Sequence, residues 1–177
     1  MLLDIVNYGD PVLRQKGERV EQITPETRQL IDDMLETMHE AHGIGLAAQQ
    51  VGKALQLTMV DVTDVEDRPS RMSIDGEAVK PEDYMPLILL NPEWTAVGNK
   101  KAEGPEGCLS FPEVYGEIER PEEIDVKAMD ENGEAQCCRD GEDPFKLPED
   151  DPHGGGGDDP HGGGDDPHGG GDPPTPE

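Results

Sequence analysis

Apolar and polar residues follow a helical rhythm in one place only. Leu30, Ile31, Met34, Leu35 and Met38 recur at i, i+1, i+4, i+5 and i+8, a stripe along one side of a helix. Thr24-Pro25-Glu26 supplies the start: a capping hydroxyl, a proline suited to the first helical position and an acid for the positive helix end. Gly43 is the expected stop, so the pattern predicts a helix over Pro25–His42. Upstream, Leu3 to Gln15 reads as an extended arm broken by the turn signal Tyr8-Gly9-Asp10-Pro11.

The remaining periodic segments read as strands. Leu55 to Val62 alternates, with Leu55, Leu57 and Met59 on one side. Thr63 to Asp83 is polar and broken by Pro69, Gly76 and Pro81, which predicts a long loop with room for a small hairpin. Pro86-Leu87-Ile88-Leu89-Leu90-Asn91-Pro92 is a short buried strand closed by Asn-Pro, and Trp94 to Val97 continues the sheet. Ile124 to Met129 alternates into the hairpin turn Asp130-Glu131-Asn132-Gly133, and the returning segment Glu134–Arg139 is a poor strand former. No second helix is predicted. The fold class is therefore α+β, one helix packed on a small, mostly antiparallel mixed sheet.

Composition divides the chain in two. The net charge is −27, of which −11 falls between Asp140 and Glu177, where Asp-Asp-Pro-His-Gly-Gly-Gly recurs around His153, His161 and His168. This stretch has almost no large apolar side chain after Leu147, so it is expected to be a disordered acidic tail (140–177) beside a single domain (1–139). The charge argues against nucleic acid as a direct partner. Three cysteines, two of them adjacent, make no disulfide framework, and the first residues carry neither a basic signal-type region nor a membrane-length apolar run. A cytoplasmic protein without a membrane partner is the expectation.

Two segments carry chemistry. Gly43-Ile44-Gly45-Leu46-Ala47-Ala48-Gln49-Gln50 joins the helix to a strand, and two glycines one residue apart allow a tight bend and close backbone approach. By itself it reads as a helix cap and buried turn. Glu106-Gly107-Cys108-Leu109-Ser110, about sixty residues on, places a cysteine in a Gly/Pro loop closed by Phe111-Pro112. Cys108 alone fits a metal ligand, a nucleophile or a small buried hydrophobe.

In order and together, these segments resemble the first two signatures of the peptide deformylases. The flanks Tyr8-Gly9-Asp10-Pro11-Val12-Leu13-Arg14 and Leu89-Leu90-Asn91-Pro92 agree, and the resemblance runs from residue 1 to about 136. It implies a metal-dependent amide hydrolase that removes the formyl group from the N-terminal formyl-methionine of nascent proteins, at the ribosome. It implies Cys108 as a ligand to Fe²⁺ (or Zn²⁺ or Ni²⁺). It further implies Gln50 and the Leu109 N–H as oxyanion donors, Ile44 and Gly45 as the backbone pairing with substrate, and Arg120 at the cleft edge. For Arg120 an ordinary ion pair with a neighbouring glutamate reads nearly as well.

One departure is plain. The family's third signature, His-Glu-x-x-His on a C-terminal helix, occurs nowhere in the 177 residues. It would supply two of three metal ligands and the proton-transferring glutamate. His39-Glu40-Ala41-His42 has the wrong spacing and reads as a solvated helix end. The resemblance therefore leaves two expectations: a deformylase-type hydrolase, or a non-catalytic remnant that retains at most peptide binding. The abrupt change near residues 135–139 suits a reading-frame shift in the gene, which the DNA read in its other frames would reveal.

Overall fold

The computed structural model describes residues 1–65 and 70–136; the boundary expected after Arg139 and the acidic stretch 140–177 lie outside these residues. The helix α1 spans Pro25–Glu40. Its strands are β1 (Gly45–Ala47), β2 (Leu57–Val60), β3 (Met72–Ile74), β4 (Glu77–Val79), β5 (Leu87–Ala96), β6 (Lys101–Cys108), β7 (Phe111–Pro121), β8 (Ile124–Met129) and β9 (Ala135–Gln136). The α+β class is as expected, and among the described residues every ladder is antiparallel, with one isolated parallel bridge between Glu18 and Leu55. Among the described residues no helix is long and apolar enough to cross a membrane.

α1 begins as its sequence dictates. Thr24 is extended, and its hydroxyl accepts the Thr27 N–H at 3.3 Å. The helix ends two residues earlier than expected. His42, with φ 54°, takes the left-handed position, its N–H donates to the His39 carbonyl and the Gly43 N–H reaches back to Met38 at 2.9 Å. That pair of bonds is the Schellman closure. Gly43 matters for a different reason: a Cβ there would stand 2.7 Å from Cδ1 of Leu109, which would have to shift.

The main sheet has the order β1-β2-β5-β8-β9. Its inner face is built in rows that the register dictates: Leu46 beside Met59 beside Ile88, and Leu57 beside Leu90 beside Met129. Ile31, Met34 and Met38 of α1 close over them, and Met34, Met38, Met59 and Leu90 are fully buried. Each such side chain contributes about 1.5–3 kcal/mol relative to exposure.

β5 does not stop at Asn91-Pro92. A register shift between Leu90 and Glu93 lets the strand pass through, with Asn91 left-handed at φ 52°. Proline is tolerated at such a bulge. The Asn91 side chain turns inward and bonds the Val20 N–H (2.8 Å) and carbonyl (2.9 Å), tying the chain before α1 to the sheet.

Two further ladders are separate from this sheet. β3 and β4 form the small hairpin, turning at Asp75-Gly76 with both φ positive. The Gly104–Pro112 region, expected as a loop, is instead the end of a long β6–β7 ribbon. Almost every residue of that ribbon faces solvent, so its sequence carries no buried-face alternation. Pro105 is accommodated because a two-stranded ribbon is an edge on both sides.

Candidate functional site

The two signature segments meet in space. β1 is followed by a 3-10 turn, Ala48–Val51, released by left-handed Gly52. Gln50 lies in that turn, and its side-chain oxygen accepts the Ala47 N–H at 3.0 Å. Only the acceptor end of the amide can satisfy that donor, so Nε2 is turned outward. It reaches Sγ of Cys108 at 3.7 Å and Oγ of Ser110 at 3.4 Å.

Cys108 ends β6 and is exposed; Leu109 and Ser110 form the turn into β7. Leu109 packs on the core, against Gly43, and this plants the turn. Ser110 is buried. The N-terminal arm clasps both segments: the Val6 N–H donates to the Gln50 carbonyl (2.9 Å) and the Tyr8 N–H to the Ser110 carbonyl (2.7 Å). Tyr8 and Phe111 stack edge-to-face at 5.0 Å, with Arg14 over the Tyr8 ring. Sequence reasoning missed Ser110 as the second partner of Gln50, and no linear signal marks it.

Among the described residues β1 is an edge strand, paired only with β2 in the main sheet. The Ile44 carbonyl accepts the Asp61 N–H at 3.0 Å, and Gly45 stands opposite Val60. Antiparallel pairing alternates, so Gly45 turns its N–H and carbonyl away from β2. The Ile44 side chain is exposed beside it. The edge therefore offers backbone groups and an apolar side chain to an extended chain.

Arg120 is engaged. Its Nε and Nη2 bond the two carboxylate oxygens of Glu106 at 3.0 and 2.8 Å, and that carboxylate raises the guanidinium pKa further. The ion-pair reading of this residue is what the geometry displays. His39 stands at an exposed helix end, as expected, and its Nε2 lies 2.9 Å from Oδ2 of Asp61. The two are 22 residues apart, and helical periodicity says nothing about such a partner.

The donor set for a metal is thin. Cys108 offers one sulfur, and among the described residues no group of three or more His, Cys, Asp or Glu side chains gathers that could hold an ion. Open catalytic metal sites are built from about three protein ligands. A single thiolate beside an amide and a hydroxyl does not fit Fe²⁺, Zn²⁺ or Ni²⁺ in that arrangement.

Comparison with known proteins gives a consistent result. The sequence model of the family described as polypeptide deformylase matches residues 2–141. A peptide deformylase of Opitutus terrae is 43% identical over 136 residues, covering 75% of this chain and 69% of the relative. Peptide deformylase 1 of Nostoc is 44% identical over 137 residues, covering 77% and 65%. The solved peptide deformylase of Synechococcus elongatus, in complex with actinonin, superposes with a TM-score of 0.62 at 41% identity, covering 76% of this chain and 63% of that one. The Thermotoga maritima structure gives 0.63 at 32% identity, covering 76% and 78%. The chain spans only 62% and 64% of two further relatives, from Psychrobacter species.

Proposed function

Because the chain belongs to the polypeptide deformylase family, we propose that it acts on N-formylmethionyl peptides of newly made proteins. The reaction is hydrolysis of the formyl amide: one water is consumed, the C–N bond breaks, and formate and a free terminal amine leave. The observation that carries this reading is the meeting of Gln50 with Cys108 beside the open edge of β1. The peptide adds to Gly45 as a further strand, with Ile44 against its side chains. Nε2 of Gln50, oriented in advance by the Ala47 bond, and the Leu109 N–H donate to the oxygen where negative charge develops. In this reading Arg120, paired with Glu106, serves at the cleft edge. A cytoplasmic setting near the ribosome goes with this substrate.

A second reading is favoured by a specific observation: among the described residues no group of three His, Cys, Asp or Glu side chains gathers to hold an ion, and the sequence holds no His-Glu-x-x-His. In this reading the chain holds formyl-peptides without hydrolysing them. One experiment separates the two. Formate release and equilibrium binding are measured with formyl-Met-Ala-Ser, with and without added Fe²⁺, Ni²⁺ or Zn²⁺. Release above that of metal alone supports the hydrolase. Binding without release supports the holding role. Neither binding nor release overturns both.

A further inference from the structure

One carboxylate ties the end of α1 to the start of β1. Asp61 follows β2 directly, and its backbone N–H holds the Ile44 carbonyl at 3.0 Å. Its Oδ2 meets Nε2 of His39 at 2.9 Å, in the last turn of α1. Its Oδ1 accepts from both the N–H (3.1 Å) and the hydroxyl (2.7 Å) of Thr63. The Asp61 side chain is 16% exposed, against 52% for His39. Burial pushes the Asp61 carboxyl up, but the Thr63 and His39 bonds outweigh it and hold it below the usual carboxylate range. The chain thus closes a ring: His39, the Schellman turn, Gly43, Ile44, Asp61, and back to His39.

The ring matters because β1 is short. Only three residue pairs join β1 to β2, and the Ile44–Asp61 bond lies at the end where they begin. A three-residue edge strand opens locally at low cost. An added strand binds well only where the edge is already ordered. We propose that Asp61, braced by His39, is a positioning residue that holds Ile44 and Gly45 at the register an incoming formyl-peptide strand requires. This rests on the peptide-docking reading above.

His39 is the residue to change, because its side chain is half in solvent and the buried face of α1 is made by Ile31, Met34 and Met38. His39→Ala removes the brace; His39→Gln restores a side-chain donor. Affinity for fluorescently labelled formyl-Met-Ala-Ser, the thermal midpoint and hydrogen exchange of the Asp61 amide are measured on the full chain. His39→Ala is expected to weaken binding about three- to tenfold, the loss of one half-exposed hydrogen bond, with the midpoint lowered by no more than a few degrees. His39→Gln should return within about twofold of the original chain. Unchanged affinity in His39→Ala, or no recovery in His39→Gln, overturns the proposal. If the original chain binds no peptide, the docking reading fails by itself, and Asp61 amide exchange decides the brace. Faster exchange in His39→Ala that His39→Gln reverses supports it, and unchanged exchange overturns it.

Discussion

Replacing Gly43 by alanine tests whether the two signature segments are held together by close packing. The new Cβ would lie 2.7 Å from Cδ1 of Leu109, 3.4 Å from its Cγ and 3.5 Å from Cγ of Met38. Comfortable carbon contacts lie at about 3.5–4.0 Å, so the Leu109 tip must retreat by about 1 Å. Met38 is fully buried and Leu109 only half so, which makes Leu109 the side chain that gives way. Overpacking costs about 1–3 kcal/mol, and a yielding side chain places this case near the lower end. Loss of glycine freedom in the unfolded chain returns about 0.4–1 kcal/mol. The net expectation is a destabilisation of at most about 0.6 kcal/mol, read as a slightly lower urea midpoint at constant slope. A double-mutant cycle makes the test specific. Leu109→Ala removes the tip, so the overpacking cost of Gly43→Ala should vanish in that background, a coupling of about 1 kcal/mol. Additivity within about 0.5 kcal/mol would refute the contact as the reason for glycine.

Three other substitutions probe the frame around the site. Gly17→Ala should cost more than Gly43→Ala, about 2–3 kcal/mol in urea unfolding, because its Cβ would meet the Leu55 carbonyl carbon and oxygen at 2.7 Å, backbone that cannot swing aside. Asn91→Ala strands the N–H and carbonyl of Val20 in the interior and should destabilise by about 2–4 kcal/mol; a loss below about 1 kcal/mol would contradict that role. Asp61→Asn tests the carboxylate by pH. Its folded pKa is lowered, so its stabilising effect is fully present above the unfolded value of about 3.9 and is lost as pH falls through the folded value. The stability gap between the original chain and Asp61→Asn should shrink as pH falls from about 5 through the folded value; a gap unchanged over that fall contradicts the assignment.

What the sequence made legible is what burial imposes. The α1 stripe and the Leu57, Met59, Ile88 and Leu90 positions are apolar because they face one another across a single core, and their spacing follows from helix and strand geometry. The β6–β7 ribbon was hidden because it buries neither face, leaving pairing without pattern. The passage of β5 through Asn91-Pro92 was hidden for another reason. Proline reads as a stop in one dimension, whereas the bulge and the Asn91–Val20 bonds that permit it form only in three. His39 and Asp61 lie beyond local reading altogether, since they stand 22 residues apart and each gains meaning only from the other.

The candidate site follows the same division. Gly43, Gln50 and Cys108 were recognisable as motif members, but their neighbours explain why those residue types are there. Gly43 is glycine because Leu109 occupies the space of its Cβ, although the left-handed residue at the helix end is His42. Gln50 fixes its own orientation: the bond that ends β1, from the Ala47 N–H to Oε1, is the bond that leaves Nε2 facing Cys108 and Ser110. Folding and donor placement therefore rest on one side chain. Gln50→Glu keeps the acceptor for Ala47 and removes the donor, which separates the two roles. It should preserve the thermal midpoint while weakening whatever the donor holds, and a fall in both together would mean that the amide serves the turn alone.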